Sequence, residues 1–128
     1  MAVFNVLIQT SAKYTATLKD EDGTVIPRSD IADIKVTLYN LDDSTGSIIN
    51  SRDDQTVFDS GGSETNGGTL HATSGLFTLN LTSSDNVMVD STQSHERHRM
   101  VINFTWDSPV KTGRHVVDFV VRNLEKVT

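Results

Sequence analysis

The sequence predicts an all-β domain, an immunoglobulin-like antiparallel β-sandwich, on the following observations. Residues 76–81, 99–106 and 115–121 alternate apolar and polar side chains, as strands with one buried face do. Turn residues recur at intervals of about ten residues, which fits six to eight short strands. Within the chain, no segment longer than about eight residues has the apolar spacing of a helix. A jelly roll or a small barrel is the alternative architecture.

The composition limits the domain count and the partners. The chain has 128 residues, the usual size of one domain, and no cysteine, so its core must form without disulfides or thiolate metal sites. Eleven basic and 17 acidic residues give a net charge of −6, and residues 1–64 carry all of that excess. An acidic chain repels phosphate backbones, so we expect no nucleic-acid partner. We also expect no membrane span, because no apolar run approaches the roughly 20 residues required.

Residues 1–12 are predicted to be an N-terminal arm or a first strand, and residues 13–128 a single β-sandwich domain. The arm is too hydrophobic to remain free in water, so we expect it to bind a partner or to join the chain's own sheet. It lacks the basic n-region of a signal peptide and is too short for one, so no export signal is expected. The predicted partner-binding residues of the arm are Val3, Phe4, Val6, Leu7 and Ile8.

The next elements follow from alternation and turn residues. Residues 13–18 alternate and lead to an Asp-Gly turn. Residues 34–39, which are rich in β-branched side chains, form the next strand, after a short helical turn or an extended connection. A turn at residues 42–46 precedes a short strand at 47–50. Residues 51–68 are mostly polar and contain two pairs of glycines, so they are expected to form a mobile loop.

In the second half, residues 70–73 are expected to pair as a short strand, and residues 83–86 have the types of a helix N-cap or a corner turn. Trp106 shares its register with Met100, Ile102 and Phe104, which predicts that it packs in the core. Proline and glycine after Trp106 predict a hairpin loop. At the C-terminus, Leu124 and Val127 are predicted to cap the core or to dock on a neighbour.

The segment 95–98 (His-Glu-Arg-His) is the first candidate for a metal site. Zinc proteases place two histidines four residues apart on a helix, whereas His95 and His98 are three apart and enter a strand. Residues i and i+3 of a strand point to opposite faces, so we predict structural or solvent-exposed histidines and no bound metal. The acidic turns at residues 20–22 and 53–54 lack the spacing of an EF-hand, and we expect no calcium cofactor there.

No motif for nucleophilic catalysis or phosphate binding is present in the sequence. There is no Gly-x-Ser-x-Gly elbow and no glycine-rich loop followed by Lys-Ser or Lys-Thr. Paired carboxylates of a glycosidase are separated in space rather than in sequence, so the sequence leaves them open. We expect no enzyme, no catalytic residue and no cofactor.

Several stretches resemble a group of small structural proteins encoded by tailed bacteriophages. They are residues 14–27 (YTATLKDEDGTVIP), 36–39 (VTLY) with 45–55 (TGSIINSRDDQ), 75–86, 96–98 with 103–106 (NFTW), and 120–124 (VVRNL). The resemblance implies an immunoglobulin-like sandwich that assembles in the host cytoplasm and is incorporated in the virion. It implies no catalytic residues.

The first functional hypothesis is therefore a non-enzymatic virion protein on the capsid, the neck or the head–tail junction. It would be a decoration or joining subunit in several symmetric copies, with other virion proteins as its partners. The alternative is a carbohydrate-binding module of a tail or fibre that takes part in host adsorption. A small hydrolase is the third hypothesis.

Overall fold

The computed structural model describes residues 2–7, 10–59, 62–90, 92–107 and 111–123, and only the backbone of residues 2–7. The strands are β1 (Ala2–Leu7), β2 (Ala12–Thr17), β3 (Ile31–Asn40), β4 (Gln55–Asp59), β5 (Gly68–Leu70), β6 (Leu76–Leu81), β7 (His95–Trp106) and β8 (Lys111–Arg122). A single 3-10 turn, Arg28–Asp30, precedes β3 among these residues. None of the described segments is a helix that could span a membrane.

The strands form two sheets, and the predicted β-sandwich is confirmed. One sheet has the order β1-β8-β7-β3-β4 and the other the order β2-β6-β5. The first and last strands, β1 and β8, are neighbours in the larger, five-stranded sheet. All neighbouring strands are antiparallel except β1 and β8, which run parallel.

The N-terminal segment is a strand of the chain's own sheet. Ala2 pairs with Val117 and Leu7 with Arg122, so β1 forms one edge of the five-stranded sheet. A parallel partner is possible because β1 and β8 lie far apart in sequence and need no tight turn between them. Of the two alternatives for the arm, the structure therefore shows the first strand over residues 2–7.

The core lies between the two sheets and is built by the predicted alternation. Along β7, six alternate side chains are buried: Glu96, His98, Met100, Ile102, Phe104 and Trp106. The facing sheet contributes buried side chains from β6, which are Phe77, Leu79 and Leu81. Core packing of Trp106 is confirmed, because its side chain is 7% exposed and stacks on Phe104 at 5.5 Å between ring centroids.

The predicted loop at residues 51–68 is wrong, because this segment contains β4. Val57 and Phe58 are both buried although they are consecutive, because β4 bulges there: Ile34 pairs with Phe58 and Lys35 with Thr56, which leaves Val57 as the extra residue. Gly68 begins β5 in the other sheet, and a Cβ there would lie 2.7 Å from the Cβ of Val57. The glycine thus lets the two sheets approach closely at this edge.

Two shorter strand predictions also differ from the structure. Residues 47–50 form only an isolated bridge between Ile48 and Tyr39, because the chain turns at Asn50 and Ser51 with φ of 54° and 58°. The strand expected at 70–73 covers Gly68–Leu70 instead. The predicted hairpin after Trp106 is confirmed, since Trp106 pairs with Lys111 across the connection.

Candidate functional site

A buried carboxylate–imidazole pair lies on the core side of β7. Glu96 and His98 are 2% and 0% exposed, since residues two apart in a strand share a face. The Nε2 atom of His98 lies 2.6 Å from Oε1 of Glu96. His95 lies on the exposed side of the strand, so the two histidines point to opposite faces as predicted.

The Glu96 carboxylate also holds the loop that brings the chain into β7. It accepts hydrogen bonds from the backbone N–H groups of Val89 and Asp90, at 2.8 and 2.9 Å. A buried carboxylate needs such donors, because an unpaired charge in the core is very unfavourable. Sequence reasoning missed this role, although the inward register of Glu96 with His98 and Met100 was a signal that could have shown it.

His98 is held in an apolar environment. Burial lowers the pKa of His98, and the hydrogen bond to Glu96 only partly offsets this effect. The neutral ring donates its Nε2–H to Glu96. It also makes a T-shaped contact with the ring of Phe119, with 5.5 Å between the ring centroids. Its Nδ1 atom is buried and has no hydrogen-bond partner among the residues that the structure describes. Protonation of this ring would therefore bury an unsatisfied N–H group.

A second buried cluster joins Arg52 and Asp85, which are 3% and 0% exposed. Nε and Nη2 of Arg52 donate to the two oxygens of Asp85 at 2.6 and 3.0 Å, the two-pronged geometry that guanidinium and carboxylate groups favour. Asn50 and the backbone N–H of Thr82 also donate to this carboxylate. Burial alone would raise the pKa of Asp85, but these donors outweigh it, so the pKa lies below its ordinary value.

The Arg52–Asp85 cluster connects distant parts of the chain. The positive φ of Asn50 and Ser51, uncommon outside glycine, turns the backbone ahead of Arg52. Asp85 lies in the corner turn predicted at residues 83–86, which the structure shows as a turn without a helix. Next to it, the Nδ2 atom of Asn86 donates to the carbonyl of Thr10 at 2.6 Å, which fixes the approach to β2.

An acidic cleft of about 400 Å³ opens beside the Glu96–His98 pair. Its carboxylates hold local structure: Asp42 binds Arg97 at 2.8 Å, and Asp43 accepts the N–H groups of Thr45 and Ser47. Within the described ranges, no group of three or more His, Cys, Asp or Glu side chains is placed to hold a metal ion. Asp20 likewise accepts the backbone N–H groups of its own turn.

A second cleft of about 460 Å³ lies at the opposite end of the sandwich, beside the β7–β8 hairpin. Phe104 and Trp106 line it together with Gly113, but both rings are mostly buried, at 2% and 7% exposure. The ion pair between Lys111 and Glu21, at 2.8 Å, closes one side. This cleft therefore offers little exposed aromatic surface on which a sugar ring could stack.

Four of the seven residues predicted to bind partners lie in the described part of the chain. Val3, Phe4, Val6 and Leu7 lie in β1, at the edge of the five-stranded sheet. Ile8, Leu124 and Val127 lie outside the described residues. The structure thus places the described part of this set along one sheet edge.

Comparison with known proteins gives little further information. No family model matches the chain, and no curated protein matches it. Among solved structures, MtrC from Shewanella baltica OS185 aligns with a TM-score of 0.46 and 11% sequence identity, over 97% of this chain. The chain spans 23% of the length of that protein. A likeness this weak carries no argument about function.

We expect the substitution Arg52→Met to lower the free energy of unfolding at pH 7 by about 3–5 kcal/mol, because it leaves the buried Asp85 carboxylate unpaired. Urea denaturation followed by circular dichroism measures this loss. Arg114→Met is the matched control on an exposed strand position and should change stability by about 0.5 kcal/mol or less. Equal losses for the two variants would contradict the importance of the buried pair.

We expect His98 to make the protein less stable in acid. Its pKa in the folded chain is below the ordinary value of 6.5, so the unfolded chain binds a proton first as the pH falls, and stability declines from about pH 6.5 downward. The Cε1–H resonance of His98, followed by NMR from pH 8 to pH 5, should titrate with a midpoint below 6.5. A midpoint above that value would mean that the imidazolium form is favoured in the core.

Proposed function

We propose that this chain is a non-enzymatic structural subunit of a bacteriophage virion, located on the capsid, the neck or the head–tail junction. It acts there as a decoration or joining subunit that binds other virion proteins in several symmetric copies. The observation that carries this proposal is that the buried charged groups hold the chain's own loops in place. Glu96, His98, Arg52 and Asp85 bind loops and turns of the same chain.

Buried charged groups that bind only their own chain are expected in a structural scaffold rather than in an active site. Catalysis requires ionisable groups that face a substrate, whereas the carboxylates of these two pairs each accept at least three hydrogen bonds from the chain itself. Such networks hold loops in one geometry. A rigid sandwich with fixed loops is the kind of unit that can be placed repeatedly on a symmetric particle.

The sheet edges supply a means of assembly. β1 forms one edge of the five-stranded sheet and pairs with β8 on one side only, within the described part of the chain. The backbone N–H and C=O groups on the other side of such a strand can pair with an extended segment of a neighbouring protein. The arm residues Val3, Phe4, Val6 and Leu7 would contribute to this contact.

The carbohydrate-binding alternative has less support. A sugar site needs an exposed aromatic platform, and Trp106, the chain's one tryptophan, is 7% exposed. The burial of Trp106 therefore favours assembly over adsorption.

We expect the purified protein to co-sediment with virus particles assembled from the genome that encodes it. Binding should saturate at a fixed number of copies per particle, because the sites repeat with the symmetry of the shell. Particles produced without the gene serve as the acceptor, and sucrose-gradient sedimentation gives the bound fraction. A folded protein that stays at the top of the gradient would contradict the proposal, and selective binding on a glycan array would favour adsorption.

A further inference from the structure

Four of the chain's six arginines lie on one side of one hairpin. The outward positions of β7 and β8 alternate with the core positions, and they include Arg97, Arg99, Arg114 and Arg122. We name this surface the arginine face. It contains one acidic side chain, Asp118, and no lysine.

The charge of the arginine face is opposite to that of the remaining chain. Four basic residues and one acidic residue lie on it, whereas the rest of the sequence holds seven basic and sixteen acidic residues. A local excess of positive charge on an acidic protein attracts a carboxylate-bearing partner over about one Debye length of 8 to 10 Å.

The centre of the arginine face is aliphatic. Val101 and Val116 pair directly across the two strands, and Val120 lies further along β8; all three are half-buried. Arginine is enriched at protein interfaces and lysine is depleted, and the fully buried centre of an interface is more apolar than its rim. The arrangement of arginines around valines has this composition.

Three of the arginines are oriented by side-chain hydrogen bonds. Nε and Nη2 of Arg99 donate to the two oxygens of Asp118 at 2.7 and 3.0 Å. Nε of Arg114 donates to the side-chain oxygen of Asn103 at 2.9 Å. Arg97 projects further, with 62% of its side chain exposed, while its Nε binds Asp42 at the rim. Side chains already oriented lose less entropy when they bind a carboxylate.

We propose that the arginine face docks onto an acidic protein surface, with guanidinium groups meeting carboxylates around the valine centre. The inference rests on the proposed function for the identity of the occupant, a neighbouring virion subunit. A nucleic acid is a poorer fit, because a valine centre matches the apolar core of a protein interface rather than a phosphate backbone.

The test compares two double variants with the same charge change. Arg97→Glu/Arg114→Glu alters the arginine face, and Lys13→Glu/Lys19→Glu alters exposed positions on and next to β2. In co-sedimentation with virus particles at 150 mM salt, we expect roughly tenfold weaker binding or more for the arginine variant and nearly unchanged binding for the lysine variant. Equal weakening in both would overturn the proposal.

Controls keep the test separate from folding and from the proposed function. Arg97→Gln/Arg114→Gln removes the charges without reversing them and replaces the first variant if thermal melting shows that one to be unfolded. If the wild-type chain does not bind particles, the proposed function fails, but titration with poly-L-glutamate, followed by amide NMR shifts, still tests the face. Shifts confined to β7 and β8 that disappear in the arginine variant support the docking site, and their absence overturns it.

Two further outcomes would assign the face to another occupant and overturn the proposal. One is binding of duplex DNA at 150 mM salt that is lost in the arginine variant. The other is concentration-dependent self-association in sedimentation velocity that is lost in the same variant.

Discussion

Burial of one side of β7 is the constraint on which the rest of the fold depends. This strand lies between β3 and β8 in the five-stranded sheet, so its inward side chains meet the facing sheet along the full length of the core. From Met100 to Trp106 these side chains are apolar or aromatic. Their burial removes apolar surface from water and so stabilises that end of the fold. His98 and Glu96, the inward side chains nearest the start of β7, are polar, so this end of the core is polar rather than apolar.

At the polar end, hydrogen bonding replaces apolar packing. Glu96 and Asp85 both hold the connection between β6 and β7, which crosses from one sheet to the other. Through Arg52, Asp85 also ties this connection to the loop between β3 and β4. A buried charge must be fully paired to be tolerated, which restricts these loops to one geometry. Loops held in one geometry fit the proposed role as a virion subunit, whose surface has to match a neighbour.

Much of the fold could be predicted from the sequence, because alternation in β3, β6, β7 and β8 extends over six residues or more. β4 could not, since a bulge buries the consecutive residues Val57 and Phe58 and removes the alternation. The ion pair of Arg52 and Asp85 joins residues 33 apart in sequence and depends on two left-handed residues before Arg52. The arginine face was visible only as scattered positive charges until the pairing of β7 with β8 placed them on one side.

The protein combines a rigid interior with an exterior of separated charge. The inward register of β7 continues through His98 to Glu96 and ties the preceding loop to the core. Native-state amide hydrogen exchange tests this claim most directly, because Val89 is 48% exposed while its N–H is bound to Glu96. The account predicts that the amides of Val89 and Asp90 exchange as slowly as those of the core strands. Exchange at the rate of an unstructured loop would contradict it.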